Sequence, residues 1–501
     1  MAKVLKRVLI VALLVCAVAV FAACQDFTWG PVMGTDSDAV VTGNGSLAVR
    51  QGEYLYFING NDDTSTLTAP EDNYFGQASV KGSIMKSRIA EDGSLTDTAV
   101  VVPKMFKTSY TDGGIYVFGD WIYYVTPTTR TDRDGVVQVD FLEYYRTRTD
   151  GTETQMITMV EGASVQYVFT DSALIYYTSN TLYKVTYDAT SVSGSATVID
   201  DEVTAVMFNH NDTYEVGAEG SVKDYIFYLK ASDNENVSTN VLYATDGGDP
   251  IKLIDEYTWS ADENEIADRE HRYTIALLGV GEDSDGVVLY YTKAAAAGVD
   301  STARTFGYKF TGTQPSFDPA AEVKLAESAL SSVIHIGLDK GVGVIASSLF
   351  TVYSINDEGV QVTEELEYSF SASPTVIEYD VATDTLYYVA SNNLYKAHLG
   401  LSDGSKPSAY LISEADISTS WLPPTILEDK VFYIDNTFGY TFFVDLDDYS
   451  AEPNNVVLAE STIASGYESS DKTEDGRIPK FMTDTDKEKY IDTYPAPEEE
   501  Q

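Results

Sequence analysis

Residues 173–188 read ALIYYTSNTLYKVTYD, and residues 384–399 read DTLYYVASNNLYKAHL. A chain that writes one phrase twice, two hundred residues apart, is built from repeated structural units, and repeats decide a fold before composition does. Each copy sits in a longer unit with four parts. An apolar stretch comes first, then an apolar residue followed by Tyr-Tyr or Phe-Tyr, then a polar turn and a strand often written Leu-Tyr-Lys, and last a short aliphatic strand. From 163 the parts are SVQYVFT, ALIYYTS, TLYKVTYD and SATVID; from 374 they are PTVIEYDV, DTLYYVAS, NLYKAHL and SAYLIS. Between these two copies, the tyrosine pair and the Leu-Tyr-Lys strand are offset by different amounts, which predicts one extra residue in the second copy's turn.

The same grammar opens near 46, 113, 203, 273, 332 and 420, giving eight units. The unit near 332 lacks the tyrosine pair. Four short strands per unit predict an all-β chain folded as a single β-propeller of eight four-stranded blades, with six or seven blades as alternatives. A four-stranded sheet that is apolar on both faces must be covered on both, and two neighbouring blades do that. Two stacked β-sandwiches are the competing fold, but sandwich strands show a polar outer face that these lack. Tyrosine suits such sheets, having an apolar body and a polar tip, and the chain has 36 of them.

Before the repeats stands MAKVLKRVLIVALLVCAVAVFAAC. Lys3, Lys6 and Arg7 precede an apolar run from Val8 to Phe21, 14 residues long. A membrane span needs about 20, so the segment reads as an export signal. Phe21-Ala22-Ala23-Cys24 resembles the lipobox of bacterial lipoproteins. That resemblance implies cleavage after Ala23, acylation of Cys24 and a lipid anchor on the outer face of a membrane. Cys16 falls in the removed part, so no disulfide within the mature chain is possible. The expected organisation is signal peptide 1–23, lipid-anchored tether 24–45, propeller 46–461 and acidic tail 462–501.

The net charge of −46 excludes a nucleic-acid partner, which demands a basic footprint. Such a surface is chiefly a solubility device, although it admits weakly bound Ca²⁺. No other cofactor is expected. Chemical motifs are scarce. The four histidines, His210, His271, His335 and His398, are scattered, with His335 read as a core residue. Neither a G-x-S-x-G elbow nor a P-loop occurs. Asp283/Asp285 and Asp445/Asp447/Asp448 are acidic pairs and triplets among 78 acids, and the stretch 484–492 lacks the central glycine and closing glutamate of a calcium loop. NGNDD (59–63) and RTDRDG (130–135) read as turns. No catalytic or metal residue is assigned.

YVFGDWIYYV (116–125) followed by YYRTRTDGTETQMI (144–157) resembles a bacterial cell-surface propeller family of unknown function. Gly119, Asp120, Trp121, Ile122, Tyr123 and Tyr124 match its first element, and Arg146, Arg148, Thr149, Asp150 and Gly151 its second. The family is similar to the receptor-type YWTD propellers and the Tol-system propeller. It implies a propeller, six blades being common, and no catalytic residues. The reading that follows is a membrane-anchored extracytoplasmic binding module for a protein, peptide or glycan. The alternatives are a glycosidase or polysaccharide lyase on the same scaffold, or a structural part of an envelope complex. Trp259 is a candidate for sugar stacking; Trp121 is expected to pack.

Overall fold

A computed structural model describes residues 34–446 apart from 61–81, 91–94, 103–112, 128–140, 163–164, 210, 232–239, 255–272, 296–301, 347, 371, 414–415, 421, 437–438 and 440. Eight antiparallel sheets follow one another along the chain, each an up-and-down meander, and together they form an eight-bladed β-propeller. Strands are lettered A to D from the axis outward. Blade 1 has Ala48–Gln51, Tyr54–Ile58, Ile84–Ile89 and Leu95–Val102, and blade 2 has Tyr116–Phe118, Trp121–Pro127, Phe141–Arg148 and Thr154–Glu161. Blade 3 is Gln166–Phe169, Ala173–Thr178, Thr181–Thr186 and Thr197–Asp200; blade 4 is Val203–Met207, Ile226–Ala231, Asn240–Thr245 and Ile251–Ile254. Blade 5 comprises Tyr273–Asp283, Gly286–Ala295, Arg304–Thr311 and Val323–Ala326. Blades 6 and 7 start at Ile334–His335 and Thr375–Asp380. In blade 8 the A position is split into Ile417–Ser418 and Thr425–Leu427, both pairing with Lys430–Asp435. Pro423-Pro424 lies in the gap and has no N–H to offer a ladder.

The repeated tyrosines have one job in most blades. Where strands B and C face each other, two rings stack across the ladder. The pairs are Tyr124–Tyr145, Tyr176–Tyr183, Tyr228–Tyr243, Tyr291–Phe306, Tyr388–Tyr395 and Tyr433–Phe442, with centroids 5.2–6.1 Å apart. Directly opposed positions bring side chains close enough for this, and each such pair adds a fraction of a kcal/mol up to about 1 kcal/mol. In blade 1 the partner of Tyr56 is Lys86, whose ammonium lies 5.3 Å from the ring centroid. Blade 6, the unit without a tyrosine pair, places Val344 opposite Thr351.

That register corrects the expected extra residue between the twin phrases. Tyr176 pairs with Tyr183 and Tyr388 with Tyr395, a constant offset of 212. Both B–C turns hold two residues, Ser179-Asn180 and Ser391-Asn392, all with φ between 50 and 63°. These left-handed two-residue turns match the twist of the strands they join. The turn did not grow. The second tyrosine changed sides, falling at Tyr177 in blade 3 and Tyr387 in blade 7.

The Gly-Asp-Trp phrase is a clamp between blades 2 and 3. Gly119, at φ 56°, turns the A–B corner. Trp121 then lies between the guanidinium groups of Arg146 and Arg148, each 4.1 Å from its ring centroid. Its indole N–H donates to Ala189 O at 3.1 Å, and buried Arg146 donates to Asp188 O at 2.5 Å. Packing, as expected, is Trp121's role.

The ring closes through side chains. Leu47 N donates to Thr425 Oγ1, Gly60 N to Thr441 Oγ1, and Thr441 Oγ1 to Ile58 O. Arg50 pairs with Glu428, and one apolar cluster runs from Leu55 and Phe57 into Leu422, Phe432 and Phe443. Among the described residues no strand is exchanged between the first blade and the last.

Candidate functional site

The axis of the ring is occupied on one side. Blade 4 joins its A strand to its B strand by a long connection, from Phe208 to Tyr225, where the other blades have short turns. Ser221 caps the 3₁₀ turn Val222–Asp224, accepting from Lys223 N, while Asp224 accepts from Ser221 N at 2.8 Å. Asn209 donates to Lys223 O and Asn211 to Asp224, so these two ends of the connection are held together. It meets the beginning of the described chain. Val41 and Tyr214 exchange both backbone hydrogen bonds, Asn44 N donates to Asp212 O, and Phe118 meets the Tyr214 ring edge-on at 5.0 Å. Val41–Thr42 also adds a fifth strand to blade 1. Residues 41–45, within the stretch expected as a tether, are thus part of the propeller.

Around this plug the acids converge. Glu282 is the penultimate residue of the A strand of blade 5 and Glu378 lies on the A strand of blade 7. Burial pushes the Glu282 carboxyl above its ordinary range; Lys223, 3.2 Å away, pulls it back, and Asp212 repels it upward. Glu378 is also raised, first by the protein around it and then by Asp380 and Asp212. Glu378 is exposed to solvent on its strand. Asp212 is therefore the common anionic neighbour of two glutamates from blades five and seven. Carboxylates that repel one another are a common setting for a cation or for proton transfer.

Beside Glu282 lies a second network. Lys309 Nζ is 2.7 Å from both Asp283 and Asp285. His335 Nε2 is 2.9 Å from Asp283, and its Nδ1 is 2.6 Å from the Tyr290 hydroxyl. Burial would raise Asp283, but the hydrogen bonds from Lys309 and His335 outweigh it and hold the carboxyl below its ordinary value. With Tyr290 fully buried, this is a fastening between blades 5 and 6. Gly281 makes room for it, since a Cβ there would stand 2.3 Å from the His335 ring. His335, expected in the core, is nearly buried, its side chain 11% exposed, with both ring nitrogens bonded across the two blades.

His398 meets Asp384 and Asp403 on blade 7. His210, His271, Trp259, Ala23, Cys24, Asp447, Asp448 and the stretches 130–135 and 484–492 lie outside the described residues. Sequence reasoning passed over Asp212, Glu282 and Glu378. The length of the connection after Met207 was the signal for the first; nothing marked the glutamates among so many acids.

No family model matches the chain. A stretch of 159 residues is 30% identical to a pre-mRNA-splicing factor, RSE1 of Eremothecium gossypii, and covers 29% of this chain and 11% of that protein. Among solved structures, apo AztD from Citrobacter koseri aligns with a TM-score of 0.35 at 8% identity, over 79% of this chain and 93% of that one. Sqt1 of Saccharomyces cerevisiae aligns with 0.34 at 10%, over 81% and 97%. A protein from Lactobacillus plantarum gives 0.31 at 13%, over 72% and 95%. The strand order of the eight sheets establishes the propeller.

Proposed function

We propose that the chain is an exported lipoprotein, fixed to the outer face of a bacterial membrane through an acylated Cys24, whose propeller binds a ligand carrying a cationic group. The binding reading rests on one observation: Glu282 and Glu378 are both raised and both repelled by Asp212, which sits on the blade 4 connection paired with residues 41–44. A positive group entering there exchanges water for fixed carboxylates and relieves their mutual repulsion. The lipobox and the basic-apolar start support the anchor, and the phrases around Trp121 and Arg146 support kinship with cell-surface propellers.

Each half has its own test. A Cys24→Ala variant should leave the membrane fraction and appear in the soluble one; a variant that stays with the membrane removes the anchor from the proposal. For the channel, oligolysine should bind with an affinity that falls as salt rises, and the pair Glu378→Gln with Asp212→Asn should weaken it at least tenfold. Unchanged binding by the double variant would reject the site.

Cleavage of a glycosidic bond takes one raised carboxyl as acid and a second carboxylate as base or nucleophile, and raised Glu378 near Asp212 favours a polysaccharide-cleaving enzyme as the second reading. Release of reducing sugar that disappears in Glu378→Gln would replace binding with catalysis.

A further inference from the structure

We infer a divalent transition-metal site on blade 7, built from Asp384, His398 and Asp403. One ligand atom from each, two carboxylate oxygens and one imidazole nitrogen, lies within 4.8 Å of the other two. Asp384 stands at the A–B corner, His398 ends strand C at Asn393–His398, and Asp403 sits in the C–D connection that follows. Those corners share one face of the ring, so the three come together by topology and not by chance proximity of distant loops.

The carboxylates are already oriented. Asp384 is buried, 1% exposed; its Oδ1 accepts from the Tyr379 hydroxyl at 2.6 Å and its Oδ2 from Ser402 N and Oγ at 2.9 and 3.0 Å. Asp403 Oδ1 accepts from Ser405 N at 2.8 Å, while its Oδ2 faces His398 Nε2 at 3.6 Å. Fixing each ligand's second lone pair by a hydroxyl or amide is how metal ligands are held in place. His398 and Asp403 are partly open to solvent, which provides an entry path and leaves a coordination position for water.

The twin blade supplies an independent contrast. With the constant offset of 212, Asp384 and His398 occupy the places of Ser172 and Thr186 in blade 3. One backbone bond is shared: Tyr187 N donates to Ser172 O, and Leu399 N to Asp384 O, although only Asp384 has a left-handed backbone. That strand pairing is therefore satisfied by Ser and Thr. The exchange to Asp and His adds metal-donor atoms to a corner whose pairing does not require them. An imidazole with two carboxylates favours a first-row transition ion over calcium, whose sites are all oxygen.

The test is calorimetric titration of the purified full-length protein, stripped of metal by chelation, with Zn²⁺ alone and with Ca²⁺ alone. One equivalent of Zn²⁺ should bind, at least tenfold more tightly than Ca²⁺. His398→Ala and Asp403→Asn, both at partly exposed positions, should each weaken Zn²⁺ at least tenfold while circular dichroism stays unchanged. Asp384→Asn should do the same, since asparagine tolerates the left-handed backbone found there, φ 55°. No Zn²⁺ binding by the wild-type protein, or equal binding by His398→Ala and Asp403→Asn, overturns the site.

Discussion

Titration past pH 10 is expected to unfold the entire propeller within about one pH unit. Nine tyrosines, Tyr56, Tyr116, Tyr123, Tyr124, Tyr187, Tyr228, Tyr290, Tyr291 and Tyr379, are buried with hydroxyls pushed upward. Burial is the first cause in every case, and Tyr123, relieved by Arg146, still reaches about 12. A raised pKa in the folded state means the unfolded chain loses its protons first. The stability is present below about 10 and withdrawn above it, by about 1.4 kcal/mol per tyrosine per pH unit. Nine such groups withdraw on the order of ten kcal/mol per unit, comparable to the whole stability of a domain. Lys86 works the other way: burial lowers it to about 8, so its charge is shed in the folded state first and stability rises between about 8 and 10.5. One lysine cannot offset nine tyrosines. Tyrosinate absorbance and circular dichroism should change together in one steep step. A gradual tyrosine titration with the β-sheet signal intact would contradict this.

The largest effect expected of a single substitution is at Glu322. Lys293 and Glu322 form an ion pair at 2.5 Å with both side chains 8% exposed, and Tyr291 donates its hydroxyl to the same carboxylate. The ammonium also lies 4.2 Å from the Phe306 ring centroid. Burial lowers Lys293, and Glu322 draws it back up. Glu322→Gln removes this carboxylate from beside a buried ammonium, a loss of about 3–5 kcal/mol. Lys293→Met together with Glu322→Leu should recover most of that, because no charge remains to be solvated. Chemical denaturation of the three proteins decides the matter; a Glu322→Gln midpoint equal to wild type would show the pair to be idle.

The architecture was legible because the propeller repeats its own solution. Tyr-Tyr recurs since six of the eight blades stack an aromatic pair across the middle ladder, and the repeated copies average out local ambiguity. The misjudged turn has the same origin. Letters were matched as Tyr-Tyr to Tyr-Tyr, whereas the strands are matched by Tyr176 to Tyr388, and only pairing across the ladder reveals which tyrosine is which. The sites were mostly hidden. Glu282 and Glu378 stand 96 residues apart in a chain with 78 acids, and their meeting around Asp212 depends on ring closure and on one connection folding inward. Asp384 and His398 could have been noticed as departures from Ser172 and Thr186, had the twins been aligned by register. His335 looked apolar because its strand neighbours are, but its partners Asp283 and Tyr290 come from the preceding blade.

The described chain enters the ring on the side where the A–B and C–D corners lie: Gly34 O accepts from Lys86, which also bonds Thr149 at blade 2's C–D corner. An attachment at Cys24 leaves ten steps of backbone to reach Gly34, at most about 35 Å of reach. The molecule would then sit like a table on a short leg, its stoppered underside and blade 7's Asp384–His398 corner turned toward the lipid headgroups. The opposite rim, where the D–A and B–C corners lie, would look outward, so a large visitor arriving from outside would meet that rim first.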